Sequence, residues 1–302
     1  MEAFAIPLLL MVGGLLALQA AANVQLSGAM GSSIGASTLQ LCLGAALLLA
    51  LAAVVGTLSR LQAVTEAPAW HLVGGLGSAL YITAGILLFP RVGAVVAVGL
   101  FIAGQMAASV FLDAAGWLGV TREPLGVISP LGVLGVAAGT VLIVRAQAAG
   151  ALRVTPAWVM LGLAAGAALP VQGAINAQLN GELDAATAVG ALSFLVATAA
   201  MAVALLASLA AGGRRPRVAP LRTVPWWGWL GGLCGATYVT AVFLLIPEIG
   251  AATVVVLTVA GQQLASVAVD RYGLLHLPRR EISGRRLTGV ALLLAGAVLV
   301  TL

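Results

Sequence analysis

Residues 68–93, PAWHLVGGLGSALYITAGILLFPRVG, and residues 225–250, PWWGWLGGLCGATYVTAVFLLIPEIG, are two copies of one segment. Set 157 positions apart without a gap, they pair Trp70 with Trp227, Gly74 with Gly231, Tyr81 with Tyr238, Thr83 with Thr240, Pro90 with Pro247 and Gly93 with Gly250. The register holds on to Val144 and Thr301, through Gly104-Gln105 and Gly261-Gln262, Ser109 and Ser266, Asp113 and Asp270, and Gly139 and Gly296. Aliphatic residues coincide by chance in an apolar chain; prolines, tyrosines, glutamines and aspartates in one register do not. Upstream the offset becomes 153, pairing Gln19, Asn23, Gln25, Leu26 and Gly28 with Gln172, Asn176, Gln178, Leu179 and Gly181.

The repeated unit is built for lipid. Of the 302 residues, 62% are hydrophobic and 8% charged, against about a quarter charged in soluble chains, and the mean hydropathy is +1.13. A water-soluble surface cannot be assembled from that stock. A bilayer core of about 30 Å takes about 20 apolar residues per helix. Uninterrupted apolar runs predict ten spans, at 5–27, 34–57, 70–89, 92–112, 128–144, 158–179, 186–211, 226–246, 249–269 and 285–302. The first run, Phe4 to Leu26, follows Glu2 without a basic leader and is expected to be a retained helix. The expected fold is an all-α membrane protein of ten transmembrane helices, as two five-helix repeats at 1–150 and 151–302. Five is odd, so the second copy enters the membrane from the opposite side, giving inverted-topology repeats.

Charge placement is a separate test of that inversion. All fourteen basic residues are Arg. With the N-terminus outside, twelve fall on the inner side: Arg91, Arg145, Arg153, Arg214, Arg215, Arg217, Arg222, Arg271, Arg279, Arg280, Arg285 and Arg286. Arg60 and Arg122 remain outside, with seven of the nine acidic residues. Arginine enrichment in short loops marks the cytoplasmic side. Matched positions also take opposite charges, Arg91 against Glu248 and Glu123 against Arg280. Both termini are therefore expected outside the cytoplasm. The basic excess has no aromatic interleaving of the kind nucleic-acid binders show, so no nucleic acid is expected as a partner.

Polar side chains within spans are where a pathway is sought. Gln19 and Asn23 share one face of the first helix, as Gln172 and Asn176 do in the sixth, where Pro170 removes a backbone hydrogen bond. The fourth and ninth helices carry Gln105, Ser109, Asp113 and Gln262, Ser266, Asp270 at i, i+4, i+8; Gln263 is added only in the ninth, opposite Met106. Tyr81 and Tyr238 lie within the third and eighth. The candidate substrate-binding set is Gln19, Asn23, Tyr81, Gln105, Gln172, Asn176, Tyr238, Gln262 and Gln263. A second reading stands beside it: such amides join helices by interhelical hydrogen bonds, worth about 0.6–2 kcal/mol each. Asp113 and Asp270 read as helix-end surface residues ahead of proton-coupling groups. Trp70, Trp226, Trp227 and Trp229 read as an interfacial belt. Gly132, Gly135 and Gly139 with Gly289 and Gly296 predict close packing of the fifth and tenth helices.

No H-E-x-x-H, G-x-S-x-G or P-loop occurs in the chain. Cys42 and Cys234 sit singly in apolar runs, and His71 and His276 fall at an interface and in a loop without metal-ligand spacing. No enzyme activity, cofactor or metal is expected. With Ala22-Asn23-Val24-Gln25-Leu26 and Ile175-Asn176-Ala177-Gln178-Leu179 in its leading helices, the chain resembles the drug/metabolite transporter superfamily. Within it, the chain is similar to the YdcZ-like bacterial inner-membrane family, whose members are single five-helix units or fused antiparallel pairs. The resemblance implies a secondary transporter of a small metabolite or drug-like molecule. It also implies a cavity between the halves, lined by helices one to four and six to nine, with five and ten as scaffold. The small multidrug members carry a carboxylate in the first helix; Gln19 and Asn23 stand here, a departure from proton-coupled export of cations. Better-known ten-helix members have cytoplasmic termini, opposite to the arginine count. A lipid-handling flippase and a non-transporting scaffold or receptor are the alternative readings. Expected partners are a small-molecule substrate and membrane lipid, with the chain a monomer or weak homodimer.

The orientation is testable alone. Single cysteines at Arg215 and Glu182, in a background lacking Cys42 and Cys234, should react oppositely with a membrane-impermeant thiol reagent on intact cells. Labelling at Glu182 and not Arg215 is expected; the reverse pattern overturns the orientation, and equal labelling indicates dual insertion.

Overall fold

A computed structural model describes residues 2–120, 122, 128–148, 154–249 and 251–300. Glu123, Arg153, Gly250 and Thr301, used above, lie outside the described residues. Among the described residues all regular structure is helical: α1 (Glu2–Met30), α2 (Ser33–Val54), α3 (Gly75–Val92), α4 (Ala94–Ala115), α5 (Ser129–Ala148), α6 (Pro156–Leu183), α7 (Ala186–Ala210), α8 (Gly231–Ile249), α9 (Ala251–Tyr272) and α10 (Gly284–Val300), with short 3₁₀ turns between some of them. Ten spans were expected. Seven segments among the described residues are long and apolar enough to cross a membrane: Ile6–Met30, Ser33–Val54, Ala69–Val92, Ala94–Ala115, Ser129–Ala146, Pro156–Leu183 and Ala186–Ala210.

The spans expected to start at 70 and 226 open instead as 3₁₀ turns, Ala69–Gly74 and Trp226–Trp229, and become α-helical only at Gly75 and Gly231. Pro68 and Pro225 start both turns. Their carbonyls accept from His71 N at 2.9 Å and Gly228 N at 2.8 Å, the tight i→i+3 closure. The glycine pairs that follow, Gly74-Gly75 and Gly231-Gly232, propagate a helix poorly, so the change to α geometry is deferred to them.

From Ala94 to Ile102, α4 is buried on every side, as a helix apolar all round must be. It packs on α6, α5 and α9, while α1 packs on α9 and α8, and α2 on α7. Outward-facing Met11, Leu131, Leu134, Met160, Val203 and Leu206 are exposed, an apolar exterior that lipid satisfies and water does not.

Glycine sets the closest approaches. A Cβ at Gly104 would overlap the Leu163 carbonyl, and one at Gly166 the Phe101 carbonyl, so α4 and α6 cross backbone to backbone. At the α1–α9 crossing, Gly261 meets the Leu10 carbonyl and Gly13 the Thr258 carbonyl. These are the same positions in the two sequence copies. The expected α5–α10 seam is also present: a Cβ at Gly139 would stand 2.6 Å from Gly289 O, and one at Gly296 2.7 Å from Gly132 O. Without a hydrophobic driving force between helices in lipid, such close approach is the source of attraction. Left-handed backbone recurs at matched turns as well: Gly31 and Asp184 (φ 64° and 47°), Gly116 and Gly273 (64° and 64°), Leu118 and Leu275 (54° and 53°), and Gly119 and His276 (72° and 58°).

Two glycines of α6 separate packing from helix propensity. Gly166→Ala should destabilise by about 1–3 kcal/mol through backbone overlap with α4. Gly173→Ala, which meets nothing within 4 Å, should be neutral or stabilising by up to about 1 kcal/mol. Thermal unfolding of the detergent-solubilised variants, followed by monodispersity on gel filtration, checks the pair; equal losses would refute the crossing.

Candidate functional site

A small cavity lies between α1, α3, α6, α7 and α8, lined by Leu16, Gln19, Ser78, Tyr81, Ile82, Leu169, Gln172, Phe194, Gly235 and Tyr238. Eight of these ten fall into matched pairs: Leu16 with Leu169 and Gln19 with Gln172 at offset 153, Ser78 with Gly235 and Tyr81 with Tyr238 at offset 157. The cavity thus sits where the two copies meet. Its volume is about 30 Å³, room for roughly two waters, so a larger molecule requires the helices to part.

The pairing comes from helix geometry. Leu16 and Gln19 stand three apart on one face of α1, Leu169 and Gln172 likewise on α6, and Ser78, Tyr81 and Ile82 on one face of α3. Each amide faces the N-terminal part of a helix from the copy opposite: Gln172 faces Gly77 and Ser78, Gln19 faces Gly235.

The two amide sets are bonded differently. Gln172 Nε2 donates to Ser78 Oγ at 2.8 Å and to Ser193 Oγ at 3.3 Å, while Ser78 Oγ donates to Gln172 Oε1 at 3.0 Å. Asn176 Nδ2 donates to Ser193 Oγ at 3.1 Å. Against the first-copy amides, Gly235 of α8 stands where Ser78 of α3 stands against Gln172, and Gln40 of α2 stands where Ser193 stands in α7. Gln40 Nε2 donates to Gly228 O at 3.2 Å. Both amide atoms of Asn23, and Gln40 Oε1, are buried without a partner among the described residues.

Of the nine expected site residues, Gln19, Gln172, Tyr81 and Tyr238 line the cavity. Asn23 and Asn176 are buried one turn beyond it. Gln262 Nε2 donates to the Tyr81 hydroxyl and so supports the cavity wall from behind. Gln105 and Gln263 are buried away from the lining, with Gln105 Nε2 and both amide atoms of Gln263 unpaired among the described residues. The sequence reading missed Ser78, Ser193 and Gln40. Gln40 carried a usable signal, since a glutamine inside an apolar run is as costly there as Gln19. Ser78 lies three residues before Tyr81 on the same face.

The helix-end surface expectation for Asp270 is corrected: its carboxylate is 2% exposed. Oδ1 accepts from Ala94 N at 2.8 Å, Oδ2 from Val95 N at 3.1 Å and from Arg286 Nη2 at 2.9 Å. It caps the start of α4, where backbone N–H groups lack helical partners and the helix dipole favours an anion. Arg280 adds a donor to Pro90 O at 3.1 Å. Burial pulls the Arg280 guanidinium below its ordinary value, the Asp270 carboxylate opposes that, and Arg286 adds to it. Together these residues tie α9 and α10 to the α3–α4 junction at Gly93 (φ 86°). At the opposite end, His71 is buried with Nδ1 3.1 Å from Glu182 Oε1, off the line of a hydrogen bond. Its ring is set edge-on to Trp70. Among the described residues no group of His, Cys, Asp or Glu is placed to hold a metal ion.

The family model described as "Putative inner membrane exporter, YdcZ" matches residues 4–142 and again residues 157–299, once in each sequence copy. No curated protein matches the chain. Among solved structures, one described only as "Crystal structure of protein" aligns with a TM-score of 0.59 and 19% identity, covering 96% of this chain and 95% of that one. At that identity the likeness is one of fold.

The buried ion pair carries a signed prediction. Arg286→Met strands the Asp270 carboxylate and should cost about 3–5 kcal/mol, while Asp270→Asn with Arg286→Met should cost less, because no bare charge remains. A thermal-stability cycle over the two single variants and the double measures this; a double variant as damaged as the sum of the singles would refute the pairing.

Proposed function

We propose a transport mechanism for this chain, which belongs to the YdcZ inner-membrane exporter family: a secondary transporter that moves a small metabolite or drug-like molecule by alternating access. In this reading ten transmembrane helices form two inverted five-helix repeats, and each half in turn opens the shared cavity to one side. The observation that carries the reading is the cavity lined by four matched residue pairs, since a site on a pseudo-two-fold axis can be offered equally to both faces.

The inversion has its own support. Gln25 near the end of α1 donates to Leu275 O at 2.7 Å, and Arg280 packs on Gly93 at the start of α4. Its counterpart near the end of α6, Gln178, packs on Gly119 just beyond the end of α4. The leading helices of the two copies therefore finish at opposite ends of α4. The arginines gather where α1 finishes: Arg217 N donates to Met30 O at 2.9 Å, and the Arg91 guanidinium stacks 4.8 Å over Trp158. Arginine-rich loops at that end favour a cytoplasmic placement and termini outside.

The cavity is nearly filled, which suits an occluded conformation. Ser78, Gln172 and Ser193 tie α3, α6 and α7 together across the second-copy amides. Opening toward either side must stretch some of these bonds, and a bound solute would replace them.

Reconstituted into liposomes and loaded with a panel of unlabelled solutes, the protein should drive counterflow of at least one radiolabelled counterpart. Gln172→Leu should reduce that rate at least tenfold with the fold retained. If no solute moves under any ion gradient, and none raises the thermal stability of the protein, transport is refuted.

A further inference from the structure

Resting on the carrier reading, we infer that the cavity takes an uncharged solute carrying a carboxamide-like group, and that Gln19 is the residue that grips it. None of the ten lining residues is a carboxylate or a basic side chain. Asp270 lies at a helix end and is already committed to Arg286 and two backbone N–H groups. A cation would enter with no carboxylate among the described lining residues, an anion with no guanidinium, and a zwitterion with neither. An ion without a partner in a low-dielectric site is strongly disfavoured.

The polar groups that remain define what a neutral solute must offer. Gln172 is spent on Ser78 and Ser193, and the Tyr81 hydroxyl accepts from Gln262. Gln19 is 3% exposed and lines the cavity, and its amide enters no hydrogen bond among the described residues. Opposite its Nε2 stands Gly235, the position that Ser78 occupies in the other copy; a Cβ there would come within 2.6 Å of that nitrogen and 3.2 Å of the Phe194 ring. The glycine therefore lets the Gln19 amide pack where a serine Cβ would stand, without the hydroxyl that holds Gln172 in the other copy. A free primary amide presents donors and an acceptor side by side, which match the edge of a carboxamide, lactam or urea. One turn further along α1, both amide atoms of Asn23 are unpaired, as is Gln40 Oε1. These extend the same unsatisfied donor–acceptor face. The walls, Leu16, Ile82, Leu169 and Phe194, suit an apolar body.

Three probes of nearly equal shape and different charge test this: tritiated benzamide, benzoate and benzylammonium, binding to the full chain in lipid nanodiscs by scintillation proximity. Benzamide should bind saturably, at least tenfold tighter than either ion. Gln19→Leu should weaken benzamide binding at least tenfold. Gly235→Ser should weaken it similarly, by displacing the Gln19 amide and giving it the hydroxyl that Gln172 already has, with cooperative thermal unfolding retained. Equal or tighter binding of an ion, benzamide binding indifferent to both variants, or no binding of any probe would overturn the inference. The carrier reading fails separately: if benzamide binds through Gln19 but no solute moves in liposomes, the site stands and transport falls, whereas counterflow of charged solutes alone keeps transport and removes the uncharged class.

Discussion

The absence of water in the hydrocarbon core governs this molecule. Each backbone carbonyl and amide must find its partner within its own helix, and each side-chain amide must find one among its neighbours. Helix association then has no hydrophobic drive and depends on close packing. Four glycines at two crossings meet that demand: Gly104 and Gly166 join α4 to α6, and Gly13 and Gly261 join α1 to α9. Each crossing joins a helix of one sequence copy to a helix of the other. The cavity exists because these crossings fix α1 and α6 while α3 and α8, which carry the two tyrosines, face the space between them.

Duplication supplied two amide pairs, and divergence gave them different work. Ser78 and Ser193 satisfy Gln172 and Asn176, so the second-copy set behaves as the helix-joining reading expects. Around the first-copy set, Gly235 offers Gln19 no hydroxyl, and Asn23 and Gln40 keep buried amide atoms without a partner among the described residues. The two readings of the amides, adhesive and cavity lining, are thus divided between the copies. A buried amide left unpaired costs about 1–3 kcal/mol; Asn23 carries that cost, and a ligand group reaching it would recover it.

Much of this was legible in the sequence because it depended on period and offset alone. The repeat located the matched pairs, and Gln19, Gln172, Tyr81 and Tyr238 reached the cavity by helical spacing. The α5–α10 seam followed from glycines three and four apart. What escaped depended on contacts between distant segments. Serine is common in membrane helices and gives no local sign that Ser78 meets Gln172, 94 residues away. Asp270 looked like a surface residue because it ends its helix. The chain then turns through left-handed backbone at Gly273, Leu275 and His276, and this return brings Arg286 back over the carboxylate. No periodicity encodes that return.

The placement of that ion pair bears on the chemistry of the whole bundle. A buried salt bridge is weak evidence for stability, since desolvation consumes most of the attraction; its position says more than its strength. Asp270 and Arg286 meet at the arginine-rich end, where the carboxylate also completes the first turn of α4. There Arg286 Nη1 also donates to the loop carbonyl of Glu281 at 2.9 Å. Toward the cavity the described polar groups are amides and hydroxyls, whose hydrogen bonds can be exchanged for those of a solute without moving a net charge through hydrocarbon. Fixed charge at the end and exchangeable neutral groups at the centre divide the bundle into a part that holds position and a part that can release and re-form its contacts.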